Sequence, residues 1–226
     1  MLFRSVYQEV DLGLENDQIN GLAFGSDGRL WLATMAGAAV QAPDGWTTYT
    51  IGNSGLGSDS VFTVAVQPLV KGDVIWFGTL TGVSAFDTFT GEWQQFNAQD
   101  LDLGWGGVSD LLVDSQGRVW VATLGGGISR YSDGNWTTLT TTNSELPYNN
   151  VSEIAEGPAG EYWISVSRPD ETGGLLVRVR GEDWHVFRPN LTGYMGGEVL
   201  AVEVDAAGRH WFATRTKGIN IYEGTR

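Results

Sequence analysis

The 226-residue chain contains no cysteine, which excludes disulfides, thiolate metal sites and a cysteine nucleophile together and leaves packing as the source of stability. Histidine is nearly absent. His185 and His210 lie in different parts of the sequence, so a histidine metal cluster or a Ser/His/Asp triad has little support, and neither a metal nor another cofactor is expected. Basic residues are scarce, 13 against 27 acidic ones, and the formal charge of −14 repels phosphate backbones and anionic lipid surfaces. Nucleic acid is set aside as a partner. No run of 18 apolar residues exists to cross a membrane, and no stretch keeps helical spacing beyond a turn or two. Gly125-Gly126-Gly127 lacks the Lys-Ser/Thr of a phosphate loop. The opening MLFRSVYQEV has no apolar signal core.

What is present is glycine, tryptophan and a period. Trp31, Trp76, Trp120, Trp163 and Trp211 recur at steps of 45, 44, 43 and 48 residues, within DGRLWLAT, GDVIWFGT, QGRVWVAT, AGEYWISV and AGRHWFAT. A second tryptophan returns at Trp46, Trp93, Trp136 and Trp184, each followed three residues later by Tyr49, Phe96, Leu139 or Phe187. Each unit holds four short strand patterns divided by turn residues. In the third unit they are 108–114, 118–123, 127–132 and 136–140, with Asp-Ser-Gln-Gly and Asp-Gly-Asn supplying hairpin chemistry.

A four-stranded sheet cannot bury both faces alone, and a repeat of roughly 40–45 residues with four strands is the propeller signature. Five units predict one all-β domain, residues 1–226, folded as a five-bladed β-propeller. The blades fall at about 17–57, 58–104, 105–148, 149–196, and 197–226 plus 1–16. Residues 197–226 supply three strands only, so the fourth is expected from the N-terminus. Aligning 5–19 with 47–61 without gaps sets Tyr7 on Tyr49, Leu14 on Leu56 and Ile19 on Val61. Strand Val6–Val10 would then pair with Ile219–Tyr222, and Arg4 would stand where the other units have tryptophan.

The copy formed by Asp114, Gly117, Trp120, Thr123, Gly126, Gly127, Tyr131 and Trp136, then Asn143, Ser144, Leu146 and Val151, resembles the two-component regulator propeller repeat. The resemblance covers essentially the whole chain. It implies a bacterial, extracytoplasmic sensor or recognition domain, many of whose relatives respond to polysaccharide fragments. It implies no particular ligand, because the motif residues are packing and turn residues.

Non-repeating residues on the repeating scaffold are the site candidates. Trp105 and Tyr148 occupy equivalent positions three residues before the inner-strand valine, with Tyr194 close to a third such position; aromatics around one opening can stack on sugar rings. Arg168 and Arg215, in second-to-third-strand loops, can hold a carboxylate or pair with Asp170 and Glu171. Asp110 and Glu153 occupy equivalent positions on adjacent inner strands, where paired carboxyls can bind a cation, serve as acid and base in glycoside cleavage, or bond to water and backbone. The expected function is non-catalytic binding of a carbohydrate or other small ligand by a monomer without membrane insertion. The alternatives are a protein-interaction scaffold and, third, a glycoside-cleaving enzyme.

Overall fold

A computed structural model describes residues 18–97, 100, 104–158, 160–167, 173–189, 193–194, 196–205 and 207–223. The chain divides into two compact units, Met1–Asp100 and Leu101–Arg226. The named elements, from Ile19 to Tyr222, are antiparallel strands.

Unit one holds two sheets. The first contains β1 (Ile19–Phe24), β2 (Leu30–Thr34), β3 (Gly37–Ala42) and β4 (Gly45–Tyr49). The second contains β5 (Val61–Pro68), β6 (Asp73–Thr79), β7 (Gly82–Asp87) and β8 (Trp93–Asn97). Unit two holds three. They are β9 (Gly104–Val113), β10 (Val119–Gly125), β11 (Gly127–Ser132) and β12 (Asn135–Leu139); then β13 (Val151–Glu156), β14 (Tyr162–Ser167), β15 (Gly174–Arg180) and β16 (Asp183–Phe187); then β17 (Val199–Val204), β18 (His210–Thr214) and β19 (Gly218–Tyr222). The strands run in sequence order across every sheet, the meander of a propeller blade. The expected N-terminal strand lies outside the described residues, so the last sheet has three strands here.

The repeat motif explains itself locally. The second and third strands meet at a glycine, and at Gly37, Gly82 and Gly127 the backbone takes positive φ of 113°, 146° and 83°. A Cβ there would stand 2.3, 2.1 and 2.2 Å from the carbonyl oxygens of Tyr49, Phe96 and Leu139, so any side chain is both strained and blocked. The threonine of the WxxT run locks the same turn: Thr34, Thr79, Thr123 and Thr214 each donate from Oγ1 to the carbonyl of Gly37, Gly82, Gly127 and Gly218 at 2.8–2.9 Å. Val166 holds that position in the fourth sheet. There the connection runs long, from Ser167 to Gly174.

Three of the strand tryptophans pack between sheets. Within unit one, Trp31 is buried and faces Phe77 and Phe86 of the next sheet at 6.0 Å each. Within unit two, Trp120 meets Tyr162 at 4.6 Å and Trp163 meets Phe212 at 5.1 Å. Truncating such a ring costs roughly 3–5 kcal/mol. The outer-strand tryptophan does more than cover a rim. Trp93, first residue of β8, stacks on Phe86 at 4.8 Å and Phe77 at 5.8 Å and fills the gap between sheets.

Candidate functional site

All five inner strands carry the same irregularity. The ladder between first and second strands skips Asn20, Phe62, Ser109, Ser152 and Leu200 in turn, a one-residue bulge that re-aims the side chains beside it. Two polar bulge residues tie neighbouring sheets together, while Ser152 Oγ bonds to Ser165 Oγ of its own sheet at 3.0 Å. Asn20 Nδ2 donates to the Val61 carbonyl at 2.8 Å, and Ser109 Oγ to that of Val151 at 2.6 Å. The residue just after the bulge is Gly21, Thr63, Asp110, Glu153 or Ala201.

In unit one this position is tight: a Cβ on Gly21 would lie 3.4 Å from Thr63 Cα and 3.5 Å from the amide nitrogen of Val64. Asp110 uses the same proximity chemically. Its Oδ2 accepts the Ile154 N–H at 3.0 Å while Oδ1 accepts the N–H of Leu111 at 2.8 Å, so a carboxylate on β9 grips the backbone of β13 beside Glu153. Burial, reinforced by the Asp110 charge, pushes the Glu153 carboxyl up to about 9. A carboxyl raised this far favours its protonated form at neutral pH. Such a pair offers a strong donor and several acceptors within one small region, which suits a ligand rich in hydroxyl groups.

The structure distributes the other expected residues unevenly. The backbone of Trp105 opens β9, and Tyr148, half-buried, packs against the cluster of Trp120, Leu146, Val151 and Ile164. Tyr194 is buried and donates from Oη to the Gly197 carbonyl at 2.6 Å; burial pushes its hydroxyl up to about 12. It stands where Leu56 and Leu146 stand in earlier repeats, a leucine-type packing role that the NSxL spacing could have disclosed. Arg215 is exposed and paired, but with a partner the sequence did not suggest: its Nε lies 2.7 Å from Glu198 Oε2. Arg168, Asp170 and Glu171 lie outside the described residues.

The opposite ends of the inner strands show a second polar arrangement, built on the aspartate of the DxxGxxW turn. Asp114 Oδ1 accepts the N–H groups of Gln116 and Arg118, and Oδ2 accepts from Arg118 Nε, Trp120 Nε1 and Tyr162 Oη. Asp205 repeats the set with Ala207, Arg209 and Trp211. In the fourth sheet Gly157 replaces this aspartate. Glu161 and His210 fold into the freed space, with His210 Nε2 3.3 Å from Glu161 Oε1. Nothing in the residue spacing announced that pair, since its members sit 49 positions apart on different sheets.

Burial lowers the His210 pKa despite the opposing pull of Glu161 and Asp205. A histidine with a folded value below its ordinary 6.5 contributes stability above that pH and withdraws it as pH falls. The melting temperature of the wild type should thus drop between pH 7 and 5 more than that of His210→Leu. Parallel curves for the two proteins would remove His210 as the cause.

The profile of the family described as "Two component regulator propeller" matches residues 13–36 and 102–125. No curated protein sequence matches the chain. Among solved structures, the chain superposes on the extracellular domain of BT4673 from B. thetaiotaomicron, described as a one component system, with TM-score 0.68, 16% identity, and coverage of 92% of this chain and 31% of that one. The extracellular domain of BT3049, described as a hybrid two component system of the same organism, gives TM-score 0.51 and 18% identity over 92% of this chain and 34% of that one. The virginiamycin B lyase of Staphylococcus aureus gives TM-score 0.61 and 14% identity over 92% and 70%. At these identities the likeness is one of fold, and the chain spans about a third of the first two proteins.

Proposed function

We propose that this chain is a non-catalytic recognition propeller, working outside the cytoplasm, that binds a carbohydrate or similarly hydroxyl-rich small ligand where the inner strands converge. The observation that carries the reading is the Asp110–Glu153 pair: a protonated acid beside a carboxylate, held by backbone, at a position that is Gly21, Thr63 or Ala201 in the other repeats. Polar chemistry at one point of an otherwise uniform scaffold is what a ligand site requires. Trp105 and Tyr148 belong to the same side of the repeats by sequence position and are the proposed stacking contacts, with Arg168, Arg215 and Tyr194 around them. The extracellular sensor domains that share the fold support the location.

Calorimetry against a glycan panel tests it. Glu153→Gln with Asp110→Asn, and separately Trp105→Ala with Tyr148→Ala, should each weaken the best ligand at least about tenfold, on the order of 1.4 kcal/mol. Equal affinity in all three proteins would remove the site. The same acid and carboxylate also fit glycoside cleavage, where one carboxyl donates and its partner stays ionised; turnover of any polysaccharide, abolished by Asp110→Asn, would move the reading to that class.

The reading needs a mouth, and we take residues 1–226 to form a single ring of five blades closed by Val6–Val10 on β19. Support comes from two apolar faces. On the last sheet Ile219 and Ile221 are 63% and 47% exposed, although their counterparts Ala38 and Val40 are fully buried against the next sheet. On the first sheet Leu22 and Phe24 are 61% and 64% exposed. Uncovered faces of this kind mark missing neighbours.

A further inference from the structure

In unit two, one sheet is fastened to the next by residues at three fixed places: six and two positions before the strand tryptophan, and one position before the tryptophan of the following sheet. Between the third and fourth sheets these are Asp114, Arg118 and Tyr162. Asp114 Oδ2 accepts from Tyr162 Oη at 2.9 Å and from Arg118 Nε at 2.6 Å, and Arg118 Nη2 donates to the same tyrosine hydroxyl. Burial would raise the Asp114 carboxyl, but its hydrogen bonds outweigh that and hold it below 3.8, while burial pushes the Tyr162 hydroxyl up to about 12. This clamp therefore keeps its charges on both sides of neutral pH.

Between the fourth and fifth sheets the same places hold Gly157, Glu161 and His210. The acid has moved to the arginine's position, and the base comes from the facing sheet. A Cβ on Gly157 would stand 2.6 Å from Glu161 Oε1 and 2.8 Å from His210 Nε2, so the pair fills the room that the aspartate gives up. The two atoms approach to 3.3 Å, but no hydrogen bond forms. Both imidazole nitrogens, Glu161 Oε2 and the Trp163 indole N–H are buried without a hydrogen-bond partner among the described residues. The imidazole lies among rings, 4.9 Å from Trp163, 6.1 Å from Tyr222 and 6.4 Å from Phe212. The other groups facing it that carry or take up charge are Asp205, already engaged by Arg209 and Trp211, and Tyr222 of β19, whose Oη accepts from Arg178 Nη1 at 2.7 Å.

We propose that the joint between the fourth and fifth sheets is a proton-operated latch: uptake of a proton by His210 releases β17–β19 from β14, while the joint before it stays shut. A neutral imidazole suits a setting of aromatic rings. An imidazolium has two N–H groups to satisfy and a charge to hydrate. Glu161, though close, accepts neither N–H, so the cation is accommodated only once water reaches it. The clamp of the third sheet has no such alternative state, because arginine does not give up its proton. Burial also sets the sign: it holds His210 of the closed joint below its ordinary 6.5 against the pull of Glu161 and Asp205. The latch is closed above that pH and loosens as pH falls below it.

Native-state hydrogen exchange of the full chain tests the latch strand by strand. Between pH 7.5 and 5, protection factors of the β18 amides, corrected for intrinsic exchange, should fall by about three- to thirtyfold, the upper bound being the proton uptake at pH 5 of a group of ordinary pKa about 6.5, while those of β10 hold. His210→Phe keeps a ring and removes the proton site. The triple variant Gly157→Asp, Glu161→Arg, His210→Tyr transplants the clamp of the third sheet. In both, β18 should become as indifferent to pH as β10. Equal falls in β10 and β18 of the wild type, or an undiminished fall in His210→Phe, would overturn the latch. If a variant does not fold, the wild type alone decides. An NMR titration placing the His210 midpoint at or above 6.5 overturns the proposal, and a midpoint below 6.5 with a fall confined to β17–β19 upholds it.

Discussion

Glu153→Gln is expected to stabilise the protein at pH 7 by roughly 1–3 kcal/mol, an uncommon direction for a buried substitution. The folded carboxyl titrates near 9 against an ordinary 4.5. Below pH 4.5 both folded and unfolded chains carry the proton, and the group has no differential effect. Between these values the unfolded chain is ionised while the folded one must take up a proton, so wild-type stability falls by up to about 1.4 kcal/mol per pH unit. Above 9 the loss levels off. Glutamine keeps the shape and a donor and never ionises, so urea melts at pH 5, 7 and 9 should show its advantage growing with pH. A gap that stays constant would mean that Glu153 is ionised in the native state. If the substitution also weakens ligand, the residue exchanges stability for binding, as functional groups commonly do.

Asp114→Ala is expected to cost about 3–5 kcal/mol, the largest loss predicted for any single polar residue here. The carboxylate is fully buried and accepts five hydrogen bonds from two sheets of unit two. Removing it strands the Trp120 indole N–H and the Tyr162 hydroxyl in the interior. Burial alone would raise its pKa, but bonds from Trp120, Arg118 and Tyr162 outweigh that and hold it below the ordinary 3.8. Its contribution is therefore present above that pH and lost as pH falls through the lower folded value. Asp205→Ala, at the half-buried copy of the same turn, should lose distinctly less. Denaturant midpoints of the two variants decide the point, and equal losses would show that burial is not the source of the difference.

Much of this architecture is legible from residue spacing. The tryptophan period marked all five sheets, and the strands foreseen in the third repeat, 108–114 through 136–140, coincide with β9 to β12 within a few residues at each end. Turns and threonine clamps are local chemistry, written in consecutive residues, and so they read directly. Trp93 was harder: a ring that heads an outer strand looks like rim cover until the opposing sheet is placed against it.

The site was legible only by position. Alignment brought Asp110 and Glu153 to equivalent places, but the bulge that aims them, the Ile154 N–H that Asp110 accepts, and the burial that pushes the Glu153 carboxyl up depend on two strands about 40 residues apart. The Glu161–His210 pair and the Arg215–Glu198 bridge escaped notice for the same reason.

The amino-acid order by itself determined the repeat, the all-β meander and the glycines and threonines of each turn, because these are set by neighbours within a few residues. Tertiary structure alone decided how far burial pushes the Glu153 carboxyl up and which tryptophans become core. Those properties belong to the space between sheets, where dielectric and shape are fixed by residues a full repeat away.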